Sequence, residues 1–255
     1  IMLYSEGFEG ATVLGKKMTT LYGLAKEQLS KQFHYDWGLR ALKSVLVLAG
    51  SLKRDNQDLS EEEVLFRALR DMNMPKFVFA DVPLFQGLLK DLFPGLNVPR
   101  VSFELLKTAV EIDYTERSCK PTNNKVFTMQ VDKTIQIYET LLARHTIMVV
   151  GPTGGGKTHC IEGLQRGMLP AFNQVTKTFV INAKAQTLEE LYGIMDPATR
   201  DWTDGILSNT FRNMNMPLPP GKENEIHWLI FDGDVDALWI ENMNSVMDDN
   251  KLLTL

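Results

Sequence analysis

Residues 151–158 read Gly-Pro-Thr-Gly-Gly-Gly-Lys-Thr and match the pattern G-x-x-x-x-G-K-[ST]. Glycines let the backbone curl so that its amide groups point inward and form a concave anion site. A helix that starts at this point adds the positive end of its dipole. We expect the Lys157 amine to reach the β- and γ-phosphates of a nucleotide and the Thr158 hydroxyl to ligate Mg2+. The predicted nucleotide-binding residues are Gly151, Pro152, Thr153, Gly154, Gly155, Gly156, Lys157 and Thr158.

The segments on both sides of this loop have the context that a phosphate site needs. Thr146 to Val150 is short, branched and apolar and predicts a strand, and a helical pattern starts at Lys157. A flexible glycine turn with an exposed lysine is the alternative, since average residue frequencies produce the pattern in roughly 1% of chains this long. The strand before it and the helix after it favour a nucleotide site.

A second part of the site is predicted at Asp232, which ends the hydrophobic run from His227. P-loop proteins place an acidic residue at the end of a neighbouring strand to hold magnesium through water. Hydrolysing members usually have a glutamate next, but here the next residue is Gly233, which has no side chain to accept a proton. General-base assistance is commonly worth about 10²–10⁴-fold in rate. The sequence therefore predicts a site that binds ATP, or its product ADP, and hydrolyses ATP slowly or not at all.

Two alternatives stay open for this site. Asp234, Asp236 or Glu241 lies close enough in sequence to replace the missing glutamate, which would make a slow but competent ATPase. The other alternative is an empty, vestigial loop. A guanine-specific site is disfavoured, because no Asn-Lys-x-Asp motif occurs in the chain.

Composition limits the class of protein. The chain of 255 residues is 44% hydrophobic and 23% charged, which excludes wholesale disorder, and its formal net charge of −5 argues against a nucleic-acid partner. No apolar run reaches the roughly 18 residues that would cross a bilayer, so no membrane partner is expected. Cys119 and Cys160 stand far apart with no metal-ligand spacing, which fits a reducing cytosol.

The hydrophobic period changes along the chain and predicts an α/β fold with a helical first part. Residues 1–118 are mostly helical, residues 119–125 form a polar linker, and residues 126–255 alternate strands with helices, as in a parallel sheet with flanking helices. The first residue is Ile1, and residues 251–255 look like the start of a strand, so we expect a piece of a longer chain, truncated at its C-terminus.

Local signals predict the boundaries of several elements. An apolar stripe at helical spacing includes Leu14, Met18, Leu21 and Ala25, and a second helix is expected at 39–52. Ser60 and Glu63 form a capping-box pattern, Asp81 is expected to cap the next helix, and Pro94-Gly95 to stop it. Further elements are predicted as a helix at 102–116, a helix at 131–142, strands at 178–182 and 228–232, and helices at 188–192 and 237–247.

Long stretches of the chain resemble the motor ring of dynein heavy chains, which belong to the AAA+ ATPases. The matching stretches are His34 to Val45, Leu69 to Phe77, Asp81 to Phe85, Leu92 to Gly95, Gly151 to Thr158, Leu191 to Gly193, Asp201 to Gly205 and Phe231 to Leu255. The resemblance covers nearly the whole chain, and motifs of this length are highly specific.

The resemblance implies a role for each part of the chain. Residues 1–118 would be the end of a first AAA+ module, mostly its small helical lid, and residues 126–255 an incomplete large subdomain of the second. The family's second module characteristically has Asp-Gly where hydrolysing modules have Asp-Glu, in agreement with Gly233. Arg40, after Gly38-Leu39, is similar to a sensor-2 arginine of the first module, while the sensor-1 residue and arginine finger of the second would lie beyond Leu255.

The resemblance also implies partners and a location. The expected partners are neighbouring AAA+ modules of the same heavy chain and, through regions outside this chain, a microtubule and dynein intermediate and light chains. The Thr153–Gly156 loop is more similar to axonemal than to cytoplasmic heavy chains. The expected location is therefore the cytoplasmic cytoskeleton, in the axoneme of a cilium or flagellum.

Overall fold

The computed structural model describes residues 2–56, 58–96, 103–117, 124–247 and 251–254. They fold into two compact units, Ile1–Ser102 with Gln136–Ile147, and Phe103–Ile135 with Met148–Leu255. The first unit is helical, and the second contains the strands. The predicted α/β class, with a parallel sheet and flanking helices, is confirmed.

The helices of the first unit are built from the predicted apolar stripes. They are α1 (Met2–Ser5), α2 (Ala11–Gln28), α3 (Leu39–Asp55), α4 (Glu61–Asn73) and α5 (Val82–Leu92), followed later by the end of α7 (Asn124–Ala143). One continuous core contains the inward faces of α1 to α5, including the fully buried Leu21, Val45, Leu65 and Phe85. The helical first part predicted from the sequence is therefore a packed unit with its own core.

Two of the predicted helix boundaries in this unit are confirmed. Ser60 Oγ accepts the Glu63 amide at 3.3 Å and Glu63 Oε2 accepts the Ser60 amide at 3.0 Å, which forms the capping box of α4. The helix that follows Asp81 ends at Leu92, before the positive φ of Gly95, as predicted.

Asp81 itself does not cap that helix with its side chain, which corrects the prediction. Its carboxylate accepts the backbone amide of Ser30 at 3.3 Å and the Tyr35 hydroxyl at 2.8 Å, and the Tyr35 oxygen accepts the Val78 amide at 2.8 Å. Hydrogen bonds to residues far away in sequence satisfy this buried carboxylate, and no local pattern could indicate them.

The second unit holds a parallel pair of strands. Its helices are α6 (Glu104–Glu116), the first part of α7, α8 (Lys157–Phe172), α9 (Leu188–Tyr192), α10 (Ile206–Met214), α11 (Ala237–Ile240) and α12 (Asn244–Met247). Strands β1 (Val175–Ile181) and β4 (Glu225–Phe231) pair in parallel, with Ile181 opposite Phe231. Between them in the chain, β2 (Gly193–Met195) and β3 (Trp202–Asp204) form an antiparallel hairpin. Single 3₁₀ turns occupy Met74–Lys76, Ala183–Ala185 and Glu241–Met243.

Three predicted elements in the second half of the chain differ from the structure. Thr146–Val150 is not a strand, and Met148 and Val150 are 61% and 69% exposed. Residues 251–254 are not a strand either. A strand exists only through hydrogen bonds with a neighbour, and the strands of the described residues pair solely as β1 with β4 and β2 with β3. The helix predicted at 237–247 is divided by the 3₁₀ turn at Glu241–Met243.

The compact units divide the chain differently from the predicted domains. Helix α6 packs on α8 and therefore belongs to the second unit, although the sequence placed residues 1–118 together. Residues 119–123 of the predicted linker lie outside the described residues, and α7 begins at Asn124. Because compact units and family modules are separate concepts, the predicted module boundary stays a prediction.

Candidate nucleotide-binding site

The glycine-rich loop has the backbone geometry that an anion cradle requires. Gly154 and Gly156 have φ of +77° and +82°, a region that side chains with a Cβ disfavour. Gly156 is the N-cap residue of α8, and the Gly155 amide donates to the Pro152 carbonyl at 3.1 Å to close a tight turn. The predicted loop and the helix start at Lys157 are thus found together.

The start of α8 presents backbone amides beside that loop. The first bond along the helix runs from the Cys160 amide to the Gly156 carbonyl at 3.0 Å, so the amides of Lys157 and Thr158 precede the helical ladder. Amides at a helix N-terminus attract negative charge. This donor set fits a phosphate group.

The Lys157 amine lies across the loop. Its Nζ donates to the carbonyl oxygens of Gly151 at 2.9 Å and Pro152 at 3.0 Å. These bonds hold the ammonium at the loop, where phosphate oxygens would replace the carbonyls as acceptors. Thr158 is exposed at the second position of the helix, with its hydroxyl near the same end.

Close packing against α6 holds the phosphate-loop helix in place. A Cβ at Gly163 would lie 2.5 Å from the Tyr114 ring, and one at Gly167 would lie 2.9 Å from Val110, so only glycine lets the two helices approach this closely. The Tyr114 ring stacks on His159 with centroids 4.4 Å apart. Burial raises the pKa of the Tyr114 hydroxyl, which bonds Thr134 at 2.7 Å. Contacts with α6 therefore fix the position of the first turns of α8.

Asp232 directly follows β4, as predicted, and its side chain is exposed. Its backbone amide donates to the Ile181 carbonyl at 3.0 Å, which ties it to the end of β1. Asp232 and the phosphate loop belong to the same compact unit. A carboxylate oxygen at the carboxyl ends of β1 and β4 is the kind of ligand that Mg2+ prefers.

The three carboxylates that could replace a glutamate at position 233 have different local contacts. Asp234 is 87% exposed at its side chain and pairs with Lys184 at 3.4 Å. Asp236 accepts the Leu238 amide at 3.1 Å as the cap of α11, and Glu241 starts the following 3₁₀ turn on the surface. Asp234 therefore stays beside Gly233, whereas the Asp236 carboxylate is used in a helix cap.

The sequence did not indicate that Asn182 and Lys184 lie beside Gly233. Asn182 follows β1 as Asp232 follows β4, and with Lys184, Ala185, Gly233 and Asp234 it lines a cavity of about 350 Å³. The sequence does show a polar residue directly after each of the two predicted strands, and such residues meet at one edge of the sheet when the strands are parallel neighbours. However, the sequence does not show that β1 pairs with β4, so the proximity of Asn182 to Gly233 could not be predicted.

Arg40 lies in the first unit, exposed in the first turn of α3. Gly38 is the N-cap residue of that helix, and the Gly38 amide donates to Asp36 Oδ1 at 2.8 Å. The structure thus places Arg40 at a helix start, and its sensor-2 role stays a prediction.

The described residues contain neither a cluster of metal ligands nor a helix that could span a membrane. Within these ranges, no cluster of three or more His, Cys, Asp or Glu side chains is placed to hold a metal ion. No helix in the same part of the chain has both the length and the hydropathy to span a membrane.

A glycine-rich loop with positive-φ glycines, a lysine across it, a helix start and a strand-ending aspartate define a P-loop nucleotide-binding protein. Comparison with known families agrees. Residues 1–158 match the family described as the hydrolytic ATP binding site of the dynein motor region, and residues 146–255 match an AAA domain of the dynein-related subfamily. The chain belongs to the dynein motor-region family, and the predicted resemblance is confirmed.

Curated relatives match the whole chain. It is 59% identical over 255 residues to the dynein-1-alpha heavy chain of the flagellar inner arm I1 complex of Chlamydomonas reinhardtii and to human dynein axonemal heavy chain 10. Human dynein axonemal heavy chain 6 is 48% identical over 264 residues. The chain covers 5–6% of the length of these relatives. It is thus a dynein AAA+ region with an ATP-binding site.

Proposed function

We propose that residues 151–158 and Asp232 bind Mg-ATP as a structural or regulatory ligand of a dynein motor, with little or no hydrolysis. The observation that carries the proposal is the contrast between a complete phosphate loop and Gly233 beside Asp232. The family description that mentions hydrolysis covers residues 1–158, whereas Asp232 and Gly233 fall in the part matched by the second family. Family membership therefore leaves the hydrolytic state of this site open.

The residues of the chain have distinct roles in this proposal. Lys157 and the amides at the start of α8 hold the phosphates, and Thr158 and Asp232 hold the magnesium. The bound magnesium would neutralise phosphate charge. Gly233 offers no atom to accept a proton from water, so the step that a glutamate assists lacks its base. Bound nucleotide then acts mainly through its binding energy.

Retained nucleotide would stabilise the folded second unit by mass action. A ligand present at 100 times its Kd contributes about 2.7 kcal/mol to the free energy of unfolding. Since the loop, the helix start and the end of β4 all belong to one unit, a nucleotide that touches them would restrain their geometry. We propose that this restraint lets the unit present correctly to a neighbouring AAA+ module.

The wider setting is proposed from the relatives. The relatives include axonemal and flagellar heavy chains, so we propose that this chain works in the axoneme of a cilium or flagellum. The proposed partners are neighbouring AAA+ modules, with a microtubule and dynein intermediate and light chains bound through other regions of a heavy chain. Within this setting Arg40 is proposed to contact the nucleotide of the preceding module.

Identification of the bound nucleotide tests the proposal. A heavy-chain motor that contains residues 1–255 is purified, its nucleotide is released and identified, and single-turnover hydrolysis is followed. A variant with Lys157→Ala separates nucleotide bound at this loop from nucleotide bound elsewhere. We expect intact ATP that depends on Lys157 and releases no phosphate over hours. ADP and phosphate from this site would instead support the slow ATPase, and no Lys157-dependent nucleotide would overturn both.

A further inference from the structure

The sequence contains two Asp-Gly steps, Asp204-Gly205 and Asp232-Gly233. In such a step the glycine backbone nitrogen can attack the side-chain carboxyl carbon of the aspartate, because glycine has no Cβ to hinder the approach. The attack closes a five-membered succinimide ring. It requires a backbone amide that is not held by a hydrogen bond and a carboxyl group that is free to turn toward it. The surroundings of each step therefore decide whether the reaction takes place.

The first step, Asp204-Gly205, is held on both sides of the peptide bond. Asp204 Oδ1 accepts a hydrogen bond from Trp202 Nε1 at 2.7 Å, and Asp204 Oδ2 pairs with Arg212 Nε at 2.7 Å. The Gly205 amide donates to the Tyr192 carbonyl at 3.3 Å. A Cβ at Gly205 would lie 2.6 Å from backbone atoms of α9, so the segment is closely packed. Neither the nitrogen nor the carboxyl group of this step is free to react.

The second step, Asp232-Gly233, has the opposite surroundings. Both residues are exposed and lie beyond the last residue of β4. Within the described ranges, the Gly233 amide donates no hydrogen bond and the Asp232 carboxylate accepts none. The Asp232 amide is bonded to Ile181, so the chain is anchored only before the step. The cavity of about 350 Å³ beside Gly233 gives water access to the same place.

We propose that Asp232-Gly233 is a site of spontaneous isoaspartate formation in the folded protein, whereas Asp204-Gly205 is protected by its contacts. The Gly233 nitrogen bonds to the Asp232 side-chain carboxyl carbon, and the nitrogen proton leaves with the carboxyl oxygen as water. Water then adds to the ring. Opening at the main-chain carbonyl gives isoaspartate, in which the main chain runs through the former side-chain carboxyl carbon. One water leaves and one returns, so the reaction needs no oxidant, reductant or cofactor.

The product changes the end of β4. Its main chain is longer by a methylene group, and the carboxylate now sits on the Cα atom of residue 232. A ligand group that must meet a metal at a fixed position would be displaced. Conversely, magnesium and nucleotide held at Asp232 would keep its carboxyl group away from the Gly233 nitrogen. This protective effect rests on the proposed function of the site, whereas the reaction itself does not.

Ageing of the 255-residue chain without nucleotide tests the reaction. Folded and urea-unfolded samples are kept at neutral pH, and isoaspartate at positions 204 and 232 is quantified by electron-transfer fragmentation of their peptides. The two positions should react at similar rates in urea. In the folded chain we expect position 232 to react at least about tenfold faster than position 204, which must first open locally. Equal rates at both positions of the folded chain, or no isoaspartate at position 232, would overturn the proposal.

A second measurement tests the protection. A heavy-chain motor that contains residues 1–255 and its Lys157→Ala variant are aged with Mg-ATP, and the same two peptides are analysed. We expect position 232 to react more slowly in the parent than in Lys157→Ala, while position 204 stays the same in both. Equal rates at position 232 would refute the proposed magnesium role of Asp232. The failure of the proposed function is therefore distinguishable from the failure of the reaction, which the chain without nucleotide reports.

Discussion

Glycine matters for different physical reasons in the two halves of the proposed nucleotide site. In the phosphate loop, Gly154 and Gly156 have positive φ, so the backbone itself requires them. At the end of β4, Gly233 has an ordinary backbone, and its missing side chain is what matters. The comparison teaches that the loop has a shape that glycine alone forms readily, while the proposed loss of a base at position 233 is a separate chemical change.

Removal of the lysine that lies across the loop should have the largest effect. Lys157→Ala deletes a charged donor to phosphate, and each such bond is worth about 1.5–3 kcal/mol, so ATP affinity should fall about a hundredfold. Binding of a fluorescent ATP analogue measures the change. Lys184→Ala is the matched control, since Lys184 pairs with Asp234 at the other half of the site. Similar losses for both lysines would break the comparison.

A methyl group at Gly154 tests the backbone half of the comparison. The site has open space around the Cβ, so Gly154→Ala adds strain from the positive φ alone, about 1–2 kcal/mol of unfolding free energy. Denaturant unfolding measures it. Gly23→Ala, with similar open space inside α2 and no positive φ, should stabilise the chain by up to about 1 kcal/mol. Effects of the same sign would contradict the backbone argument.

The metal role of Asp232 predicts a smaller effect that depends on magnesium. Asp232→Asn should weaken binding of Mg-ATP about tenfold, as expected for a partner that holds a metal through water. Affinity for ATP in the presence of a chelator should hardly change. Isothermal titration with and without magnesium tests this, and Asp234→Asn serves as the control. Magnesium-independent weakening would show that Asp232 supports the fold instead.

Asp81 offers a carboxylate whose partners are all within the chain, in contrast to the exposed Asp232. Burial acts to raise the pKa of Asp81, but hydrogen bonds from Ser30 and Tyr35 outweigh it and lower the pKa below the usual aspartate value. Its stabilising contribution is therefore present above about pH 4 and is lost as the pH falls through the folded-state value.

The smallest effect is expected for loss of the Asp81 charge, measured as a change in how stability depends on pH. Asp81→Asn should lower the thermal midpoint at pH 7 and flatten its decline below about pH 4 relative to the parent. The exposed Glu27→Gln is the control and should keep the parent's decline. An unchanged decline in Asp81→Asn would mean that other carboxylates cause acid unfolding.

Signals within a few residues of one another predicted much of the molecule. The stripe of α2, the capping box at Ser60, the start of α8 and the positions of β1 and β4 were recognisable because they follow from helix and strand periodicity. The strands predicted at 146–150 and 251–254 were wrong, because apolar and β-branched residues form a strand only where a neighbouring strand can pair with them. The capping box at Thr187 was also recognisable in principle, since Glu190 follows at the required spacing.

The sequence by itself determined the phosphate loop, the aspartate after a hydrophobic strand and the glycine next to it, because each depends on residue types at adjacent positions. Only the tertiary structure decided that Asn182 faces Gly233, that Asp81 is satisfied by Ser30 and Tyr35, and that α6 packs on α8 through Gly163. These contacts join residues separated by about 50 positions in the chain, which meet only when strands pair and helices pack. Local pattern therefore specifies the groups that bind, and packing specifies the space in which they act.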